Sequence, residues 1–290
     1  MYILAQTEAF VPNRRCPAIK YYNKDMNTRA IGIFDSGLGG MTILKTLSAA
    51  LPKEKLIYFG DTVNVPYGSK SKEAVTRFSL AIARFLEQQK VKLIIVACNT
   101  ASALALSELQ KKISVPVIGV IEPGALCAAQ NTRSGKVAVI ATEATVQSKA
   151  YPRALKHIDG RIRTFQRACP VFVPLIEEGW IHKRAGELII SDYLDGVAKS
   201  GADTVILGCT HYPVIKNLIA RRLGKNVKLV DSAEVLTQEV KTRLTQTGQL
   251  NSSGRGSLKI YASDAPARFK RLAKNILGRE LRRVYLKKLS

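Results

Sequence analysis

The sequence has no long hydrophobic run, which argues against a helical membrane protein. Hydrophobic residues make up 46% of its 290 residues, yet no apolar run approaches the roughly 20 residues that a membrane-spanning helix needs. The first residues, MYILAQTEAFVPNRRC, contain too short an apolar core for a secretory signal. We therefore predict a cytoplasmic protein that does not enter the membrane. Its length allows about two domains with a sizeable core.

Cysteines are few and irregularly spaced. Their number is odd and no two have CxxC spacing. This argues against a disulfide framework and against a thiol-bound zinc, so we predict no metal site. The five cysteines are Cys16, Cys98, Cys127, Cys169 and Cys209.

Acidic residues are scarce. The chain has 22 Asp and Glu against 45 Lys and Arg, a formal net charge of +23, and the basic residues are densest in the C-terminal RFKRLAKNILGRELRRVYLKKLS. Such a charge favours a polyanionic partner or an acidic substrate. No RNP sequence and no paired zinc ligands accompany it. Two interpretations stay open: a basic surface that is merely solvated, and a weak association with nucleic acid.

Apolar runs of strand length alternate with helical patterns such as SKEAVTRFSLAIARFLEQQK and SALALSELQKKI. The runs are rich in Val and Ile and continuous, which is typical of parallel strands buried on both faces. We predict the α/β class, with mainly parallel sheets flanked by helices. The predicted strands are AIGIFD, KLIYFGD, LIIVAC, VPVIGVIEP, KVAVIATE, TVILGC and VKLVDS. Polar residues expected at their carboxyl ends, where such sheets bind ligands, are Asp35, Asp61, Glu122, Thr142 and Asp231.

Two of the cysteines stand where a predicted strand ends and a helical pattern begins. Cys98 lies in LIIVACNTASA and Cys209 in TVILGCTHYP. A thiol at a helix N-terminus is easier to ionise, because the helix dipole favours the thiolate. Hydrogen-bonding residues follow each thiol: Asn99 and Thr100 follow Cys98, and Thr210 and His211 follow Cys209. The matched pattern indicates that the two cysteines act together.

The residues by themselves leave the chemistry of these thiols open. A buried cysteine is often only a small hydrophobic core residue. Cys209 with His211 as proton partner would suit a nucleophile of hydrolysis or group transfer. Two thiols would suit a redox pair. They would also suit an acid and a base on opposite faces of one carbon, which inverts that carbon.

Three further motifs contain candidate polar groups. In FDSGLGGMTIL, Asp35 precedes a glycine-rich turn that lets the backbone approach a ligand. In FGDTVNVPYGSKS, Asp61 is a candidate partner for a cationic group, and PYG forms a turn. In CPVFVPLIEEGW, Glu177 or Glu178 is a candidate for orienting the base of the second half. Cys16, Cys127 and Cys169 lack a comparable setting and are predicted to be structural or incidental.

The motifs IGIFDSGLGG, GDTVNVPYGSKS, VACNTASA, FVPLIEEGW and LGCTHYPVI follow one another between about residues 30 and 235. Together they resemble the glutamate racemase family, within the cofactor-independent aspartate/glutamate racemase superfamily. The resemblance implies two similar α/β domains with the active site in the cleft between them. Residues 29–120 plus 234–290 would form the first domain and residues 121–233 the second. Residues 1–28 would be a mobile extension, unless translation starts at Met26.

The resemblance also implies an activity. The family interconverts L- and D-glutamate without pyridoxal phosphate or metal, and D-glutamate feeds peptidoglycan synthesis. A small-molecule substrate, no cofactor and a homodimer are therefore expected. Sister enzymes act on aspartate, and the CNTAS and CTHYP motifs favour glutamate.

Catalytic and binding roles are carried over by motif. Cys98 and Cys209 match the two catalytic thiols, and Asp35 would orient Cys98 or bind the substrate ammonium. His211 would assist Cys209, and Glu177, preferred over Glu178, would support it. The expected substrate-binding residues are Asp35, Ser36, Pro66, Tyr67, Gly68, Asn99, Thr100, Thr142, Thr145, Thr210 and His211.

Two other classes of function remain as alternatives. One is a binding module, in which a racemase-like scaffold engages nucleic acid through its basic surface. The other is a thiol hydrolase, which would need a single cysteine and would form a covalent intermediate.

Overall fold

The computed structural model describes residues 27–289. The predictions for Cys16, for Met26 and for most of the N-terminal extension lie outside the described residues. The strands are β1 Ile31–Asp35, β2 Lys55–Gly60, β3 Leu93–Val96, β4 Val117–Gly119, β5 Lys136–Ala141, β6 Arg163–Ala168, β7 Thr204–Gly208, β8 Lys228–Asp231, β9 Ser257–Ala262 and β10 Tyr285–Leu286. The helices are α1 Met41–Ala50, α2 Lys72–Gln88, α3 Asn99–Leu104, α4 Leu106–Lys112, α5 Ile121–Asn131, α6 Glu143–Gln147, α7 Ala150–Ile158, α8 Phe172–Glu177, α9 Arg184–Lys199, α10 Lys216–Leu223, α11 Ser232–Gln246 and α12 Pro266–Leu277.

The strands form two sheets in which every described pair is parallel. The first has the order β10-β9-β2-β1-β3-β4 and the second the order β6-β5-β7-β8. The predicted α/β class with mainly parallel sheets is confirmed. The central strands are buried along their whole length, as the continuous apolar runs require.

Local sequence determines where the helices begin and which face they bury. In α2, the Ser71 side chain accepts a hydrogen bond from the amide of Ala74, which caps the helix, and Glu73 lies in the first turn, near the positive end of the dipole. Val75, Ile82, Phe85 and other residues at helical spacing are buried against the first sheet.

The sequence missed three strands and misjudged one strand end. β6, RTFQRA, lies at a sheet edge with alternating exposed and half-buried residues, so it lacks the continuous apolar run. β9 and β10 were also missed, because they too carry exposed residues. The run VPVIGVIEP is a strand only as far as Gly119, and helix α5 begins at Ile121. Glu122 is therefore exposed in the first turn of that helix, and its expected place at a strand end is wrong.

Helices cover both faces of each sheet. Helices α1, α11 and α12 pack on one face of the first sheet, and α2, α3 and α4 on the other. Helices α9 and α10 pack on one face of the second sheet, and α5 and α7 on the other. Although α11 follows the last strand of the second sheet, its residues Leu236 and Val240 belong to the core of the first. The predicted domain boundaries stay a prediction.

The carboxyl ends of the two sheets meet. The Thr210 hydroxyl after β7 donates to Asp35 Oδ1 at the end of β1, at 3.3 Å. The hydroxyls of Thr100, after β3, and Thr142, after β5, are 2.9 Å apart. A cleft between the sheets is thus lined by residues that follow strands of both. Of the helices between residues 27 and 289, none is long and apolar enough to cross a lipid bilayer.

Candidate active site

Asp35 is a carboxylate buried at the junction of the sheets. Its Oδ2 accepts from the Gly37 amide at 3.0 Å, and its Oδ1 accepts from Thr210. Burial raises the pKa of Asp35, while the nearby His211, the Gly37 and Gly40 amides and the Thr210 hydroxyl lower it. The glycine turn supplies the backbone donors that allow a carboxylate to stay in this position.

Cys98 caps helix α3 with its sulfur. The Sγ atom accepts from the Ala101 amide at 3.5 Å and donates to the Ser36 hydroxyl at 3.7 Å. Burial raises the pKa of Cys98 to about 12, and the negative charges of Asp35 and Cys209 act in the same direction. Cys98 is therefore a protonated thiol at neutral pH, so the expectation that the helix start makes it easier to ionise is wrong, because burial outweighs the helix dipole. Cys209 is near enough to influence its charge.

Cys209 is paired with a histidine and a glutamate. Its Sγ lies 3.9 Å from Nδ1 of His211, and Nε2 of His211 lies 2.9 Å from Oε1 of Glu177. Burial lowers the pKa of His211, but the hydrogen bonds and charges of Cys209 and Glu177 outweigh it and raise the pKa to about 10. His211 is thus an imidazolium at neutral pH and places a positive charge beside the Cys209 sulfur.

The two neighbouring glutamates have different surroundings. Glu177 ends α8 and faces the buried His211. Glu178 is exposed and lies 3.4 Å from the guanidinium of Arg268. Of the two glutamates between which the sequence did not decide, Glu177 is therefore the one that contacts His211.

A cluster of hydroxyls joins the two sheets. The oxygen of Thr100 lies 2.9 Å from that of Thr142 and 3.2 Å from that of Thr145, and the last two are 2.9 Å apart. Gly68 faces the same cluster, since a Cβ there would lie 2.7 Å from Cβ of Thr142. The arrangement offers several donors to an anionic group.

Gly39 lets the two halves approach closely. A Cβ on Gly39 would collide with the Thr210 hydroxyl and with the ring of His211. The residue carries no side chain because the second sheet occupies that space. Its glycine is therefore required by packing between the halves.

The PYG turn is anchored by its tyrosine side chain. The Tyr67 hydroxyl donates to Asp61 Oδ2 at 2.5 Å, and Ser263 donates to Asp61 Oδ1 at 2.8 Å. The side-chain amide of Asn64 also donates to both oxygens of Asp61, so the protein partners of this carboxylate in the described part of the chain are neutral groups. The cationic group expected for Asp61 stays a prediction. Pro66 follows a cis peptide bond and is exposed.

Two comparisons with known proteins identify the family. The sequence profile described as Asp/Glu/hydantoin racemase matches residues 40–240. A glutamate racemase of Geobacter metallireducens is 52% identical over 262 residues, which cover 90% of this chain and 97% of that protein. The chain belongs to the glutamate racemase family. It is accordingly an amino-acid racemase, an isomerase, and the resemblance predicted from five motifs is confirmed.

Solved glutamate racemases share this fold. The enzyme of Thermus thermophilus, in complex with β-chloro-D-alanine, is 44% identical with a TM-score of 0.83, over 91% of this chain and 98% of that one. The enzyme of Francisella tularensis, in complex with D-glutamate, is 37% identical with a TM-score of 0.85, over 90% of this chain and 98% of that one.

Some residues of this racemase were beyond the reach of the sequence patterns. Cys169 directly follows β6 and is fully buried, with its backbone oxygen accepting from the Tyr212 hydroxyl at 3.0 Å. Because β6 was not recognised, its strand-end position went unnoticed. Tyr151, in α7, donates to Oδ1 of Asn99 at 2.7 Å across the two halves. Only the spatial contact reveals this tyrosine, since no sequence pattern relates it to the cysteine motifs.

Proposed function

We propose that this chain interconverts L- and D-glutamate by proton transfer between two thiols at the α-carbon, without a cofactor. The observation that carries the proposal is the position of Cys98 and Cys209. They follow strands of opposite sheets, both are buried at the cleft, and the charge of one raises the pKa of the other. Two thiols on opposite sides of one carbon are what inversion needs.

The charges around the thiols give each a starting role. The His211 imidazolium lies 3.9 Å from the Cys209 sulfur, which suits Cys209 to act first as the base, whereas burial and Asp35 raise the pKa of Cys98 and suit it to act first as the acid. The Cys209 thiolate removes the α-proton of one enantiomer, and the Cys98 thiol returns a proton to the opposite face. After this turnover the protonation states are exchanged, and the reverse reaction runs from them.

The polar residues of the cleft supply the binding. The hydroxyls of Thr100, Thr142 and Thr145 are donors for carboxylates. The backbone amides of Tyr67 and Gly68 would add to them, whereas Pro66 has no N–H to donate. Asp35 is the acceptor for the ammonium. Fixed donors would also stabilise the charge that builds on the α-carboxylate as the proton leaves. A closed cleft keeps water from protonating the carbanion-like species.

The test is isotope exchange in D₂O. The protein is incubated with L-glutamate, D-glutamate or L-aspartate, with no cofactor added. Loss of circular dichroism together with deuterium at the α-carbon, for glutamate only, is the expected result. A folded sample with reduced thiols that exchanges none of the three would overturn the proposal.

Glu177→Gln should lower kcat by about 10- to 100-fold, because one charge-assisted hydrogen bond to His211 is lost. Loss of the negative charge also lowers the pKa of His211, so the alkaline limb of the pH–rate profile shifts to lower pH. The matched control is Glu178→Gln, which leaves both unchanged. Equal effects of the two substitutions would contradict the role of Glu177.

The raised pKa of His211 also has a consequence for folding. Protonated His211 stabilises the folded chain fully below its unfolded pKa of 6.5, and this contribution disappears as the pH rises through about 10. As the pH rises through about 10 and His211 loses its proton, activity and the free energy of unfolding should therefore decrease together.

We further propose, as a second candidate function, a weak association with nucleic acid. The observation that favours it is a groove of about 860 Å³ between α2 and the C-terminal residues. Five cations line it, against the acids Glu73 and Glu108. The logarithm of the binding constant for a DNA duplex should fall linearly with the logarithm of the salt concentration. Retention that ignores salt would contradict it. The cations are Lys72, Arg77, Arg84, Lys287 and Lys288.

The cysteines also bear on where in the cell the protein works. The mechanism needs reduced thiols, and the four cysteines of the described residues are free, which supports a cytoplasmic location. There the D-glutamate would supply peptidoglycan synthesis.

We also propose the domain division at residues 120/121 and 233/234, since α5 packs on the second sheet and α11 on the first. A homodimer rests on the family resemblance and is tested by light scattering.

A further inference from the structure

Tyr151 touches the segments that carry both cysteines. It lies in α7, is fully buried, and its hydroxyl donates to Oδ1 of Asn99 at 2.7 Å. Asn99 directly follows Cys98 and begins α3. The ring of Tyr151 lies against Gly208, which directly precedes Cys209, since a Cβ there would come within 3.3 Å of the ring. Tyr151 therefore crosses from one half of the cleft to the other.

The side-chain amide of Asn99 is only half satisfied. Its oxygen is used by Tyr151, whereas its nitrogen, Nδ2, is buried and has no hydrogen-bond partner among residues 27–289. A buried donor without a partner is costly, so such groups point to a ligand that completes them. An amide nitrogen suits an acceptor such as a carboxylate.

The proton on Tyr151 decides which way the amide faces. Burial raises the pKa of Tyr151, a hydrogen bond from Ser232 lowers it, and the charge of Cys209 raises it again. The hydroxyl is therefore neutral and keeps its proton. The hydroxyl directs this proton to Oδ1 of Asn99, which lies 2.7 Å away. The asparagine must then turn its oxygen toward Tyr151 and its nitrogen away.

We propose that Tyr151 is a positioning residue that holds the Asn99 amide with Nδ2 toward the substrate, where it donates to a carboxylate. The inference rests on the proposed racemase function and adds a residue outside the motifs. Without the phenolic hydroxyl the amide is free to rotate and present Oδ1, which repels a carboxylate.

The direct test is Tyr151→Phe, which removes only the hydroxyl. KM should rise roughly 5- to 100-fold for L- and for D-glutamate, the cost of one misplaced hydrogen bond, while kcat changes less. Tyr261→Phe is the matched control: its ring packs on Phe85 and Tyr285, and its KM should equal that of the wild type. An unchanged KM in Tyr151→Phe overturns the inference.

A double-mutant cycle separates positioning from packing. In an Asn99→Ala background, Tyr151→Phe should change KM by less than about twofold, because the amide to be positioned is gone. The same KM factor in both backgrounds, with a lowered melting temperature, would mean that Tyr151 only packs. Racemisation by the wild type and by Tyr261→Phe shows that the proposed function stands even when the inference on Tyr151 fails. An inert wild type would instead refute the proposed function.

Discussion

Cys98→Ser is expected to lower racemisation in both directions by at least about a thousandfold, at the upper end of what one acid–base group contributes. Serine preserves the cap of α3, since its hydroxyl also accepts from the Ala101 amide. A hydroxyl does not ionise near neutral pH, so the proton carrier on that face is lost. The fold should therefore survive while the reaction does not.

The thiol that remains in each serine variant should still exchange the α-proton on its own side. In Cys98→Ser, Cys209 still removes the α-proton from its own side and returns deuterium to the same face. In D₂O one enantiomer should therefore exchange without inverting, and Cys209→Ser should exchange the opposite enantiomer. The measurement is α-deuterium content by NMR beside optical rotation.

A third cysteine outside the cleft provides the control for these substitutions. Cys127→Ser, at a half-buried thiol of α5, should racemise normally. Because the enantiomers have equal free energy, kcat/KM must stay equal in the two directions for every variant, which checks the assay. If both serine variants exchange the same enantiomer, the two-sided mechanism is wrong. A covalent adduct on either cysteine would favour the hydrolase alternative.

Lys92→Met is expected to lower the free energy of unfolding by about 3 to 5 kcal/mol, the cost of leaving a buried charge without its partner. Nζ of Lys92 lies 2.6 Å from Oε2 of Glu54, and both side chains are almost wholly buried. Nζ also donates to the carbonyl oxygens of Asn27, at 2.9 Å, and Gln249, at 2.7 Å. The pair thus joins the start of β3 to three other segments of the chain.

The effect is measured by thermal and urea unfolding. The melting temperature should fall by about 5 to 10 °C. Lys111→Met, which removes an exposed partner of Glu108, is the control and should change stability by less than about 1 kcal/mol. The double substitution Lys92→Met with Glu54→Met should recover much of the loss. A Lys92→Met variant as stable as the wild type would contradict the stabilising role of the Lys92–Glu54 pair.

The sequence was most informative where structure is local. A continuous run of Val and Ile is enough to predict a buried parallel strand, because both faces of such a strand must be apolar. It failed at β6, where an edge position leaves one side to solvent and the apolar run is interrupted. It also failed at Glu122, since a strand followed at once by a helix has no visible boundary in VPVIGVIEP.

The cysteines of the candidate site could be predicted from the sequence because both follow the end of a strand. Cys98 stands at the turn from β3 into α3, and parallel strands bring such ends to one edge. Cys209 directly follows β7, but the helix start expected there is wrong, because a short 3-10 segment, Tyr212–Ile215, separates it from α10. Nothing in the spacing determines that His211 contacts Glu177 and not Glu178. That choice depends on how α8 packs beside the segment after β7.

The sequence by itself thus determined the α/β class, the strand ends and the motifs of the racemase family, because each depends on neighbours along the chain. The tertiary structure decided which groups face one another across the two sheets. The pairing of Asp35 with Thr210, 175 positions apart, and of Tyr151 with Asn99, 52 positions apart, arises only when the sheets pack. Charges that depend on burial, such as the proton on His211, are determined by the same packing.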